Sequence, residues 1–183
     1  MSTRTAIFKE VKRNEFVGIY VHSDGYLSYT GEVLNRYYKE NENILDVINQ
    51  KKPLSLIGSS AEIVNQYDDE EKYFEKNEER YSMYSKTAFI EGESEYEYFK
   101  ANSWEQLKNL DYHTYNDKDE VQGYTRQNEF IAWRGSDNNG YIYVQDINNQ
   151  WYVSYMDYSK PNKIVGVQVT LPLDEALKNK VAD

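Results

Sequence analysis

The order of apolar and polar positions predicts two β-hairpins, one early and one late, with helices between them. Residues 3–11 alternate, with Thr5, Ile7 and Lys9 opposite Ala6, Phe8 and Glu10. Lys12-Arg13-Asn14 supplies a turn, and an apolar run from Phe16 to Val21 returns as a second strand ending at His22. The period then changes. Val33, Leu34, Tyr37 and Tyr38 share one face of a helix over residues 31–38, with Thr30 as its N-cap. Ile44, Val47 and Ile48 mark a second helix, capped by Asn41 or Asn43 and stopped by Pro53. Leu54-Ser55-Leu56-Ile57 reads as a short buried stretch.

Further on, Ser103 caps a short helix with Trp104, Leu107 and Leu110 inward, and residues 130–134 read as a strand. The clearest hairpin signal joins Tyr141-Ile142-Tyr143-Val144 to Trp151-Tyr152-Val153-Ser154-Tyr155 through residues 146–150. Residues 163–170 alternate as another strand, and Pro172 and Leu173 open a closing helix over 174–180. These elements predict a single α+β domain over residues 1–183. Its antiparallel sheet is built from the N- and C-terminal hairpins, with helices between them and at the C-terminal end. An isolated hairpin is only marginally stable, so the two hairpins are expected to share one sheet, with Tyr143 and Trp151 buried.

Two acidic stretches interrupt this pattern. Residues 66–82 hold Asp68, Asp69, Glu70, Glu71, Glu75, Glu78 and Glu79 against Lys72, Lys76 and Arg80. Like charges at Glu71–Glu75 and Lys72–Lys76 give little helical support, so the segment reads as an exposed helix or a mobile acidic insertion. Glu91, Glu93, Glu95 and Glu97 recur at period two, which sets four carboxylates on one face of a strand. Such a face is a charged exposed edge or a contact surface for a basic partner.

Charge narrows the function classes. The net charge of -10 opposes simple binding to a nucleic-acid backbone, which needs Lys and Arg to displace counterions. It leaves open a solubilising surface, a mimic of nucleic acid in a basic groove, and a carboxylate-rich metal site. The absence of cysteine excludes disulfides and thiolate metal sites. No secretory h-region and no apolar run of ~20 residues is present, so a cytoplasmic protein without membrane contact is expected. No P-loop, dinucleotide fingerprint, metalloprotease helix or nucleophile elbow occurs, and no cofactor or metal is expected. The nineteen tyrosines fit a β-rich fold or an interface, since each offers a broad ring and one polar tip.

The candidate chemistry gathers where the first hairpin ends. His22 is one of only two histidines, and Asp24 lies two residues on. In a straight strand the two share a face; in a turn the carboxylate can orient the ring. Histidine exchanges protons near neutral pH. Metal-free RNA cleavage needs a base for the 2′-hydroxyl, an acid for the leaving oxygen and a cation for the phosphorane. His22 is a candidate base or acid, with Tyr26 or Glu32 as counterpart and Arg134 as the cation. Tyr29 and Thr30 are candidate contacts to phosphate or a partner, as are Glu93, Glu95 and Glu97. His113 can join only if the fold brings it near His22. A strand-end histidine and a surface arginine also have ordinary structural roles.

The same segment resembles a motif of small phage and mobile-element proteins, Ile-Tyr-Cys-His-Trp-Asp-Gly-Tyr-Pro, placed after an opening strand and before a helix. Ile19, Tyr20, His22, Asp24, Gly25, Tyr26, Tyr29 and Gly31 match it; Val21, Ser23, Leu27 and Glu32 depart from it. The resemblance covers about residues 1–55, and the remainder aligns loosely. In size and acidity the chain is also similar to type II-A anti-CRISPR proteins of the kind that shortens the guide RNA. That resemblance implies a phage-encoded Cas9 inhibitor in a bacterial cytoplasm, with the Cas9–guide RNA complex as partner and a metal-independent ribonuclease activity. The charge supports a different expectation, a non-enzymatic inhibitor filling a basic groove.

Overall fold

The computed structural model describes residues 3–40, 42–67, 74–76, 82–89, 99–104, 139–157 and 167–179. Strand β1 (Arg4–Lys12) turns back through Asn14, whose φ of 62° is in the left-handed region, into β2 (Glu15–Val21). Short polar asparagine adopts that conformation more readily than most residues. The two strands pair antiparallel, Ile7 opposite Ile19.

The second hairpin, β9 (Asn139–Gln145) and β10 (Trp151–Asp157), joins the first in one sheet as expected, and Tyr143 and Trp151 are fully buried. The joint is β9 alongside β1, and it is parallel, with Ile7 opposite Tyr143. The expectation of a purely antiparallel sheet is therefore corrected: the fold is α+β with a mixed sheet. Periodicity fixes which face of a strand is apolar but not the direction of a neighbour brought in by a long connection. The burial of β1 agrees with the parallel contact. Every residue from Thr5 to Glu10 is buried, so both faces are covered, as strands with parallel neighbours require.

The sheet continues outward from β10 to β11 (Val167–Pro172), antiparallel. On the other side the end of β2 meets β3 (Leu54–Leu56) in parallel at Val21 and Leu54. Then follow β7 (Lys86–Phe89), antiparallel to β3, and β4 (Ser60–Asn65), parallel to β7. The start of β2 also pairs with β8 (Phe99–Ala101). Inside the acidic segment 66–82, Gln66 and Tyr67 form a turn and β5 (Phe74–Lys76) pairs with β6 (Ser82–Tyr84), so these described residues are turn and strand, not helix. The remainder of that segment lies outside the described residues, as do Glu91 to Glu97, His113, residues 130–134 and the helix expected after Trp104.

Helices α1 (Glu32–Tyr37), α2 (Ile44–Ile48) and α3 (Leu173–Lys178) share a core with the sheet. Val33, Leu34, Ile44, Val47, Ile48 and Leu173 join Ile7, Ile19, Val21, Tyr143 and Trp151 there. Asn43 caps α2, its Oδ1 accepting from the Leu45 N–H at 3.0 Å, as its residue type predicts. Thr30 does not cap α1. A single π-helical turn, Leu27–Gly31, precedes that helix, and Gly31 occupies its N-cap position. Among the described residues no helix is long and apolar enough to cross a membrane.

Candidate functional site

The segment from His22 to Glu32 is one connected turn, bolted to the sheet by its backbone. The His22 and Ser23 N–H groups donate to the Leu54 and Ser55 carbonyls at 2.8 and 2.9 Å, which extends the pairing of β2 with β3 beyond the strand end. Asp24 then reverses the chain with a φ of 55°. The Gly25 N–H donates to the Thr3 carbonyl at 2.7 Å, and the Gly25 carbonyl accepts from the Tyr143 hydroxyl at 2.8 Å. A Cβ at position 25 would sit 2.7 Å from Thr5 Cβ and 2.8 Å from the Thr3 carbonyl oxygen, so glycine is required by close approach.

The hydroxyl residues that follow are structural members of this turn. Thr30 is fully buried, and its Oγ1 donates to the Asp24 carbonyl at 2.6 Å, which closes the turn. Tyr29 is buried and donates to the Ile57 carbonyl at 2.8 Å. Burial pushes the Tyr29 phenol far above its ordinary range, against the opposing effect of a hydrogen bond from the Tyr84 N–H. Tyr38 behaves alike: it donates to the Gly58 carbonyl at 2.8 Å, and burial raises its phenol. Neither hydroxyl is presented to an incoming phosphate. Tyr26 is half-buried against the core, and its carbonyl accepts from the Tyr29 N–H. Glu32 opens α1 and receives Arg36 Nε at 3.2 Å.

His22 is half-buried at the rim, and its ring is held by residues outside the motif's acidic partner. The Tyr20 hydroxyl lies 2.9 Å from Nδ1, and Arg4 Nε donates to the same nitrogen at 3.4 Å. Tyr20 and His22 also meet edge-on, with ring centroids 6.0 Å apart. Both neighbours follow from strand geometry. Tyr20 precedes His22 by two residues, and Arg4 stands at the start of β1 opposite the end of β2. Arginine only donates, so its contact requires a bare Nδ1 and puts the proton of a neutral ring on Nε2. The turn therefore combines an imidazole, a guanidinium and a phenol. Sequence spacing singles out His22 but not Arg4, which lies eighteen residues away and becomes its neighbour only through hairpin register. Arg134, Glu93, Glu95 and Glu97 lie outside the described residues.

Among the described residues no group of three or more His, Cys, Asp or Glu side chains is arranged to hold a metal ion. No protein-family model, curated protein or solved structure matches the chain.

Proposed function

We propose that this protein is a phage-encoded inhibitor of a bacterial Cas9 defence complex that promotes cleavage of the guide RNA at the turn around His22. The contact of His22 Nδ1 with both Tyr20 and Arg4 at a strand end supports chemistry at this turn, and the Cas9 target rests on the sequence resemblance over residues 1–55. A phosphodiester that draws the Arg4 guanidinium onto its non-bridging oxygens releases Nδ1. The ring then exchanges tautomer through solvent: Nε2 gives its proton to water, Nδ1 takes one up and donates to the Tyr20 hydroxyl, and Nε2 is left bare as a base. Nε2 takes the 2′-hydroxyl proton and the 2′-oxygen bonds to phosphorus. The bond to the 5′-oxygen breaks, leaving a 2′,3′-cyclic phosphate and, once that oxygen is protonated, a 5′-hydroxyl. Tyr26 or Glu32 is the candidate in the turn for supplying that proton, and Arg4 balances the charge on the phosphorane. The acidity of the whole chain counts against this chemistry unless the target complex provides the basic contacts.

The net charge of -10 favours a second reading, a non-enzymatic inhibitor that occupies a basic nucleic-acid groove. Incubation with a Cas9–guide RNA complex, followed by a denaturing gel of the RNA, separates the two. Shortened guide supports cleavage. Intact guide with blocked DNA cutting supports the groove-filling reading. No effect on either rejects both.

A further inference from the structure

Six residues along β1 from Arg4, about 20 Å away at ~3.3 Å per residue, Glu10 lines a groove of about 410 Å³. The groove has two half-buried aromatic walls, Trp104 and Tyr152, whose ring centroids lie 5.6 Å apart at 86°. Ile147, half exposed, forms an apolar lip, and Asp146 adds a second carboxylate at the rim. Glu10 itself is only 8% exposed, yet its carboxylate has no hydrogen bond or ion pair among the described residues. The adjacent Lys9 does not supply one. Its Nζ donates to the Asp146 carbonyl at 2.6 Å and to Asn149 Oδ1 at 3.0 Å, and it acts on Glu10 only through space. The Asp146 carboxylate is occupied in part, since its Oδ1 accepts from the Asn148 and Gln150 N–H groups.

A carboxylate that opens into the groove without a protein donor favours a cation that completes it. The aromatic walls restrict which cation. A guanidinium is planar, weakly hydrated, stacks on aromatic faces and donates to a carboxylate through a two-pronged edge. A phosphate or nucleotide is repelled by both carboxylates, and a purely apolar segment would leave Glu10 unanswered. We infer that this groove takes the side chain of an arginine presented on the surface of a partner protein. The guanidinium rests against the wall formed by the Trp104–Tyr152 edge-to-face pair, its edge donates to Glu10, and its methylenes rest on Ile147. The site is independent of His22 and requires no RNA chemistry.

The test titrates the full chain with an acetylated Gly-Arg-Gly-Arg-Gly amide and with the same peptide carrying citrulline, which keeps shape and loses charge. The Trp104 indole N–H resonance is followed by NMR. The arginine peptide should shift it saturably, and the citrulline peptide should not. Glu10→Gln should weaken binding by about tenfold or more. Glu62→Gln, which removes an equal charge from β4 far along the sheet, should change it by less than about twofold. Trp104→Leu, which keeps bulk without the aromatic face, should also weaken binding while the thermal melt stays near that of the parent. Equal binding of the citrulline peptide, equal effects of Glu10→Gln and Glu62→Gln, or an unmoved Trp104 resonance at saturation would each overturn the assignment.

Discussion

The two ends of β1 carry charged residues in opposite circumstances. At the Arg4 end, the polar groups of the adjoining turn are closed among themselves. Thr30 holds the Asp24 carbonyl, Tyr143 holds that of Gly25, and Arg4 and Tyr20 hold His22. At the Glu10 end, a side chain that is 8% exposed opens into a groove beside two aromatic rings and has no donor of its own among the described residues. The first arrangement holds a side chain among protein partners; the second leaves a carboxylate open to a groove. One strand thus separates a closed polar turn from an open groove.

Mutating both ends gives the largest contrast. His22→Ala should slow guide shortening by roughly 10²-fold or more, the scale of a lost acid–base group, while Glu10→Gln leaves the chemical step unchanged. Rates come from gel time courses at saturating complex. Full activity in His22→Ala removes the catalytic reading, and equal losses in both variants would merge the two ends into one function.

Alkaline pH distinguishes the ends by sign. The raised phenols of Tyr29 and Tyr38 mean that the folded state holds protons which the unfolded chain releases above about pH 10. Their contribution is complete below that pH. It declines above it by up to about 1.4 kcal/mol per pH unit for each group. Lys9 runs the other way: burial lowers its ammonium, so the fold disfavours its charged form and that penalty is relieved as pH rises toward 10.5. The charges of Asp146 and Glu10 oppose the burial effect at Lys9, so it contributes the smaller effect. Urea melts from pH 8 to 12, followed with tyrosinate absorbance, should show a net loss of stability in which the buried phenols ionise only on unfolding. Ionisation of all tyrosines with the fold intact would contradict it.

Steric tests rank next. Gly25→Ala forces a methyl onto Thr5 and the Thr3 carbonyl and should destabilise by roughly 1–3 kcal/mol. At the other end Val11→Ser, at a 38% exposed position, should stay within about 0.5 kcal/mol. Denaturant midpoints at constant m-value measure both. Smallest is the loss of one anchor at each end. Tyr143→Phe leaves the buried Gly25 carbonyl without its donor and should cost about 1 kcal/mol. Lys9→Met should cost less, because the turn residues it holds are partly exposed.

Local pattern accounts for much of this architecture. The two hairpins, the Asn43 cap and α3 announce themselves by period, turn residues and cap chemistry, all of which act within a few residues. Strands β4 and β7 carry no comparable signal: β4 is only partly buried, and each is held by a distant neighbour. The Thr30 cap fails because a π turn shifts the N-cap to Gly31, and the Thr30 hydroxyl instead donates to the Asp24 carbonyl. At the candidate site His22 stands out as a rare residue at a strand end, whereas Arg4 and Tyr20 gain meaning only through pairing. Glu10 gave no signal at all, because its isolation depends on Trp104 and Tyr152 arriving from elsewhere.

The parallel seam between β1 and β9 also sets a schedule. Thr5 Oγ1 donates to the Tyr141 carbonyl across 136 positions of sequence. At ribosomal speeds of ~5–20 residues per second, the first hairpin waits roughly 7–27 s for the strand that covers its open edge. During that interval Ala6, Ile7 and Phe8 belong to an unfinished sheet. Contacts of such long range also slow the search for the native pairing. Synthesis in the cell therefore passes through a state whose exposed edge can pair with other chains, and slower translation prolongs it.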